Sequence, residues 1–203
     1  MTTKKISKVK TLILVGTSGS GKTHLKEQLI ENFPKVFSNV EQVSTRSPRN
    51  DQDKSYDFID DVKYDEIVNT LTCKTNFNGN RYGSKVDKFD KKKVNILVAS
   101  EEGFHDYVNS EVAKNHEYIT LVLDRYDYAG IGEIRSDRDV EFLAFEHASC
   151  ERTSQHESAY TWDVTINGFI DNETVFDLVQ NKLNGVSSAS VRVDRKQTKP
   201  TLQ

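Results

Sequence analysis

Eight consecutive residues near the start of the chain, Gly16-Thr17-Ser18-Gly19-Ser20-Gly21-Lys22-Thr23, have the types and spacing that hold a polyphosphate. They fit G-x-x-x-x-G-K-[ST] in full. Glycines let the backbone turn tightly, so that the N–H groups of Gly16, Ser18, Gly19, Ser20 and Gly21 can point inward at an anion. A helix opening near Lys22 adds the positive end of its dipole. In such a loop the Lys22 ammonium reaches the β- and γ-phosphates and the Thr23 hydroxyl ligates Mg2+. The loop implies a nucleoside triphosphate without fixing the reaction. A chain of barely one domain, with no guanine-reading NKxD motif, favours a small ATP-using kinase over a GTPase.

A second group of anion ligands follows. Ser44-Thr45-Arg46-Ser47-Pro48-Arg49 sets two arginines three apart around a proline. Pro48 stiffens the turn, so that two guanidinium forks could converge on one phosphate. Alone, the segment reads more readily as an exposed basic turn. A metal-binding aspartate is expected after a later buried strand, but Val94–Ala99 runs into Ser100-Glu101-Glu102. Either Glu101 or Glu102 replaces it, or Mg2+ is held by Thr23, water and phosphates alone.

These residues need elements to position them. Thr11 to Val15 is a short apolar run rich in branched residues, the pattern of a strand buried on both faces. HLKEQLIENF follows the glycine loop with Leu25, Leu29 and Ile30 at helical spacing, and Pro34 ends that helix. The pattern predicts strands around Val40–Val43, Val94–Ala99, Tyr118–Leu123 and Asp163–Ile166. It predicts helices over Val62–Leu71, Glu102–Asn115, Val140–Arg152 and Glu173–Leu183, and a hairpin or short strands over 73–84. Strands alternating with helices give an α/β fold, a parallel sheet covered on both faces. The polar block from about 40 to 90 interrupts the rhythm as an inserted subdomain. Residues 125–138, charged and carrying Gly130 and Gly132, read as a mobile loop.

Composition sets the outer limits. The 203 residues carry a net charge of −3, unevenly spread. Residues 1–10 hold four lysines and no acid, and residues 186–203 sum to +3, which leaves −10 for residues 11–185. So acidic a body argues against a broad nucleic-acid surface. The ends read as a basic arm and, after Gly185, a disordered basic tail around a kinase domain of residues 11–185. Cys73 and Cys150 have no metal-ligand or paired spacing and read as reduced thiols of a cytoplasmic protein. No apolar run approaches 20 residues, so no membrane span is expected.

In order and spacing, the motifs resemble the guanylate kinase family. Its members carry the phosphate loop, then T-T-R-x-P-R, then D-Y-x-F, then G-N-x-Y-G. Here these stand as Ser44-Thr45-Arg46-Ser47-Pro48-Arg49, as Ser55-Tyr56-Asp57-Phe58, and as Gly79-Asn80-Arg81-Tyr82-Gly83 followed by Ser84. The resemblance covers residues 11–104 and fades beyond them. It implies a P-loop fold with an inserted monophosphate-binding subdomain and a lid over about 125–140. It also implies ATP and Mg2+ as cofactors and a nucleoside monophosphate as the small-molecule partner. Arg46, Arg49, Tyr56 and Tyr82 would grip the acceptor's phosphate, and Ser84 would lie near its base or phosphate. Arg135 and Arg138 would close with the lid on the transferring phosphoryl group. The family reads guanine with acidic and hydroxyl side chains at places that hold Cys73, Gln42, Val98 and Ser100 here. The resemblance therefore implies a kinase that is not strictly guanine-specific, unless Asp57, Glu101 or Glu102 supplies the missing acid. Two other readings stay open. One is a kinase of another acceptor, such as a modified base or a polynucleotide end, which would suit a viral nucleotide-modifying enzyme acting in a host cytoplasm. The other is a guanylate-kinase-like binding module that has lost catalysis.

Overall fold

The computed structural model describes residues 8–16, 20–124, 163–167, 171–185 and 191–194. In chain order the elements are β1 (Val9–Val15), α1 (Lys22–Asn32), β2 (Phe37–Asn39), β3 (Gln42–Ser44), β4 (Asp57–Phe58), α2 (Asp61–Ile67), β5 (Leu71–Phe77), β6 (Asn80–Lys85), β7 (Val94–Ala99), α3 (Glu101–Val108), α4 (Glu111–Lys114), β8 (His116–Asp124), β9 (Val164–Asn167), α5 (Asn172–Leu183) and β10 (Val191–Asp194).

Six strands form one sheet in the order β10-β9-β8-β1-β7-β2, every neighbouring pair parallel. Successive side chains of a strand point to opposite faces, and both faces of β1 are buried. Leu12 and Leu14 join Leu25 and Leu29 of α1 and Val175 and Val179 of α5 in one core. Ile13 and Val15 join Phe104 and Tyr107 of α3 and Ala113 of α4 in another. This is why TLILV is apolar without alternation: no face of the central strand meets water. Because the strands are parallel, all their C-terminal ends lie on one edge, where Gly16 and Ser100 follow β1 and β7.

Between β2 and β7 the chain builds a second sheet, in the order β4-β3-β6-β5. β6 runs antiparallel to both β3 and β5, and β4 parallel to β3. One face is apolar: Val43 and Leu71 pack on Tyr64 of α2, with Ile59, Ile67 and Val68 at the margin. The other face is polar. Gln42 pairs with Ser84 and Ser44 with Tyr82 across β3 and β6, and Thr72 and Thr75 lie opposite Ser84 and Tyr82 on β5. Directly opposed residues share a face, so one row of hydroxyl and amide groups crosses the sheet.

The structure corrects several boundaries. The single strand expected at Val40–Val43 is two strands in two sheets, parted at Val40-Glu41 where the chain leaves one layer for the other. The helix expected over Val62–Leu71 stops at Ile67, tightens into a 3-10 turn over Val68–Thr70, and gives way to β5 at Leu71. The helix expected over Glu102–Asn115 is two, because the Ser110 side chain caps a new start by accepting from the Ala113 N–H. β1 opens at Val9, inside the stretch read as a basic arm. Val191–Asp194, inside the stretch read as disordered, forms β10 beside β9. Its alternation of valine with charged residues is a strand pattern that the surrounding Ser, Lys and Gln obscure. The lid, with Arg135 and Arg138, and the helix expected at Val140–Arg152 lie outside the described residues.

Candidate active site

The turn from β1 into α1 carries the first cation. Gly21 caps α1 at φ 95°, a left-handed conformation that favours glycine. A side chain at Gly16 would meet the Leu123 carbonyl oxygen at 2.6 Å, so this backbone runs against β8 in a way only glycine permits. Lys22 folds back over the turn, its Nζ donating to the Gly16 carbonyl oxygen at 2.6 Å and to Ser20 Oγ at 3.4 Å. Thr23, beside it in the first turn of α1, is exposed. Thr17, Ser18 and Gly19 lie outside the described residues.

The second cation is Arg46, two residues beyond the end of β3. Its guanidinium donates to Asp53 Oδ2 at 2.9 Å, to Ser55 Oγ at 3.0 Å and to the Ser47 carbonyl oxygen at 2.8 Å. It also lies over the Tyr56 and Phe58 rings, 5.3 and 4.8 Å from their centroids. Asp53 organises the loop: its carboxylate further accepts from the backbone N–H groups of Arg49 and Ser55 and from the Ser55 hydroxyl. Burial alone would raise the Asp53 pKa. The bonds from Ser55, the Arg49 N–H and Arg46 outweigh it and hold the carboxyl well below the usual carboxylate range. The Arg49 side chain is exposed. The two arginines thus share one carboxylate, one through its guanidinium and the other through its backbone. Tyr56 and Tyr82, expected to act together, meet edge to face at 5.5 Å.

A seam of hydrogen bonds joins the polar face of the second sheet to the end of β7. Gln42 Nε2 donates to the Val98 carbonyl oxygen at 2.9 Å and to Ser84 Oγ at 3.1 Å. A carbonyl can only accept, so the Gln42 amide orientation is fixed: both amide protons are used and Oε1 is left as the acceptor. Ser84 is fully buried and bonds Cys73. Cys73 itself is buried beside Leu97, Ala99 and Tyr107, and burial first, then the Asp106 charge, pushes its thiol far up. Its φ of 54° marks the bulge that shifts register between Thr72 and Thr75. Ser100 caps α3, accepting from the Gly103 N–H while donating to Thr75 Oγ1 at 3.3 Å. Thr75 in turn donates to Glu102 Oε2 at 2.6 Å.

The sequence thus names Lys22, Arg46, Tyr56, Tyr82, Gln42, Ser84 and Ser100, and the structure sets them along one edge of the parallel sheet and the polar face beside it. It does not present Cys73 on the surface of that crevice. Asp57, one of three acids considered for reading a base, is exposed and bound by Lys85 at 2.8 Å. Glu102 joins the seam through the Thr75 hydroxyl. Asp53 and Thr75 were missed. Asp53 had a faint signal, since an Asp two residues before a Ser is an Asx-turn pattern. Thr75 had none, because the bulge decides its face. Among the described residues no three His, Cys, Asp or Glu side chains gather to hold a metal ion. No helix there is long and apolar enough to cross a membrane.

Residues 8–98 match the guanylate kinase family model. Over that span the chain is similar to the guanylate kinase family. The fold agrees with it across more of the chain. A guanylate kinase from Anaplasma phagocytophilum superposes with a TM-score of 0.57 over 89% of this chain and 88% of that one, at 18% sequence identity. A sugar kinase from a Janibacter species aligns over 88% of this chain and 94% of that one, at 14% identity and a TM-score of 0.38. Guanylate kinases are nucleotide kinases that use ATP and Mg2+ and bind nucleoside monophosphates, and the likeness supports a nucleotide kinase in general.

Proposed function

We propose that the chain is an ATP-dependent nucleoside or deoxynucleoside monophosphate kinase of guanylate-kinase-like type. One observation carries the reading. Two cationic groups, Lys22 at the head of α1 and Arg46 beyond β3, belong to different sheets, and the Gln42–Val98 bond docks the second sheet on the strand-end edge where the first stands. Ligands of open α/β sheets bind outside the carboxyl ends of the strands. Two phosphates presented to one another across such an edge are the substrates of phosphoryl transfer.

In this reading the triphosphate lies on the loop Gly16–Thr23 and the acceptor's phosphate lies against Arg46, Arg49, Tyr56 and Tyr82. Arg46 would exchange part of its hold on Asp53 for the incoming phosphate, with the rings of Tyr56 and Phe58 keeping its plane in place. A phosphate oxygen is already ionised, so no general base is required. Lys22 and Arg46, joined by Arg135 and Arg138, stabilise charge as the phosphoryl group passes between oxygens. Exposed Thr23 would offer its hydroxyl to a Mg2+ carried in on the triphosphate. Bound there, the ion neutralises charge on the β- and γ-phosphates.

The base-reading end holds Gln42, Ser84, Cys73 and Ser100 and no carboxylate among these four. Their donors are spent within the seam, which leaves the Gln42 carbonyl and Glu102 as acceptors. The Gln42 carbonyl pairs with several bases, and Glu102 is already engaged by Thr75 outside the four positions, so strict guanine selection is not expected. Coupled ADP release with GMP, dGMP, dTMP, dCMP and dAMP at equal concentration tests the reading. Turnover with more than one base is the expected result. Exclusive use of GMP or dGMP would return guanine reading to Glu102, and no turnover with any of them would refute the kinase assignment.

A further inference from the structure

Arg46, Asp53 and Ser55 close a triangle of side chains. Arg46 Nη2 donates to Asp53 Oδ2 and to Ser55 Oγ, and the Ser55 hydroxyl donates on to Asp53 Oδ1. With the N–H groups of Arg49 and Ser55, the Asp53 carboxylate accepts four bonds, two on each oxygen. The Arg46 and Asp53 side chains are only 12% and 8% exposed. An ion pair so enclosed gives up hydration for its attraction and adds little net stability over apolar packing. What it does secure is geometry.

A guanidinium has five N–H donors in one rigid plane. Nη2 gives both of its protons to Asp53 and Ser55, and Nη1 gives one to the Ser47 carbonyl oxygen. The Nε–H and the second Nη1–H have no partner among the described residues. A phosphate can take these two before it competes for any that Asp53 holds. The Tyr56 and Phe58 rings lie under the same plane, and the Arg46 N–H is tied to Ser44 Oγ at 3.2 Å. An unrestrained arginine loses much rotamer freedom when it grips a ligand. Here the loop has removed that freedom beforehand.

We propose that Asp53 is a positioning residue for the acceptor monophosphate: its carboxylate sets the affinity for the phosphate by holding the Arg46 guanidinium in place. The inference deepens the kinase reading and rests on it. The sign of the effect separates positioning from plain electrostatics. A carboxylate near a phosphate repels it, so charge alone makes binding tighter when Asp53 is neutralised. Positioning makes binding weaker, and only while Arg46 is there to be positioned.

The test is a double-mutant cycle on the full chain: wild type, Asp53→Asn, Arg46→Ala and the pair together, with ATP and the five monophosphates titrated by calorimetry. Asp53→Asn is expected to lose about fivefold or more in affinity for the best monophosphate and to keep ATP affinity within about twofold. In the Arg46→Ala background the same substitution should change monophosphate affinity by less than about twofold. Tighter or unchanged monophosphate binding in Asp53→Asn would overturn the proposal. So would an equal loss in the Arg46→Ala background, the mark of a loop that has merely loosened. If Asp53→Asn does not fold, Ser55→Ala takes its place, since it leaves the carboxylate its other three bonds. It should lose about twofold or more in monophosphate affinity, and nothing further beside Arg46→Ala. Turnover is read separately: monophosphates that bind and are never phosphorylated would refute the kinase reading, while the cycle still decides the role of Asp53.

Discussion

The two sheets are built on opposite principles. In the parallel sheet the central strand β1 is covered on both faces and buries Leu12, Ile13 and Leu14 completely. In the second sheet one face rests on a small cluster of Val43, Tyr64 and Leu71, while the other is a row of polar side chains facing the first sheet's edge. The first is held by burial, which is large and non-directional. The second is held to its neighbour at one point by burial, Cys73 packing beside Leu97 and Ala99, and otherwise by Gln42 on Val98, Thr75 on Glu102 and the Lys74–Asp106 pair, which are few and directional. A ligand that brings its own hydrogen bonds can rearrange the second kind of joint and not the first. The contrast therefore separates a scaffold from a part that can adjust around a substrate.

The largest expected effect tests that separation. Leu14→Ala should cost about 2–5 kcal/mol and lower protection from hydrogen exchange throughout the chain. Leu71→Ala removes a comparable side chain from the smaller cluster. Its loss of protection should be confined to β3, β5 and β6, with β1, β7 and β8 unchanged. If Leu71→Ala released exchange in β1 as well, the two sheets would be one cooperative unit and the contrast would fail.

A smaller effect is expected at the joint. Gln42→Ala removes two hydrogen bonds at about 0.5–1.5 kcal/mol each. The melting temperature should move little, because β1 and β7 are untouched, while the monophosphate affinity falls several-fold and ATP affinity is kept. Calorimetric titration with each nucleotide checks this, and equal losses for both would show that Gln42 supports the whole molecule.

The smallest effects are pH-dependent and fall in different ranges for the two regions. His116 opens β8 and its Nδ1 meets Tyr107 Oη at 2.9 Å and Thr11 Oγ1 at 3.1 Å. Burial lowers its pKa. The folded protein therefore excludes a proton that the unfolded chain binds below about pH 6.5, and this contribution to stability is lost as pH falls from there toward the folded value. Asp53 has a depressed folded pKa, so its contribution is complete above the unfolded value of about 3.9 and is lost as pH falls through the folded one. Acidification should first loosen the parallel sheet around β8 and only later the Arg46 loop. Melting curves from pH 7.5 down to about 1.5 should show the first phase flattened in His116→Gln and the second in Asp53→Asn. An early phase that survives in His116→Gln would place that titration elsewhere.

Which parts were legible in the sequence follows from the same contrast. Val94–Ala99 matched its strand residue for residue, because a strand buried on both faces is an unbroken apolar run with few other readings. The second sheet was harder. Gln42, Ser84 and Thr75 form one seam only because β3, β6 and β5 take a particular register, and the bulge after Thr72 turns Thr75 toward Tyr82. A register is a relation between strands and leaves no periodicity in any one of them. Lys22, Arg46, Tyr56 and Tyr82 were legible through short motifs, each contiguous in the chain. Asp53 and Glu102, which hold those parts in place, belong to no motif. The split of the expected helix at Ser110 was overlooked although Ser-x-x-Ala carries a capping serine, since a cap inside an otherwise helical pattern looks like an interior residue.

The central claim is that two phosphates are held by two cations from different sheets. Equilibrium binding of ATP and of the best monophosphate to Lys22→Ala and Arg46→Ala tests it most directly. Each charge-assisted contact contributes on the order of 1.5–3 kcal/mol. Lys22→Ala should therefore lose about tenfold or more in affinity for ATP alone, and Arg46→Ala the same for the monophosphate alone. Either variant, folded, losing affinity for both nucleotides equally would contradict the account.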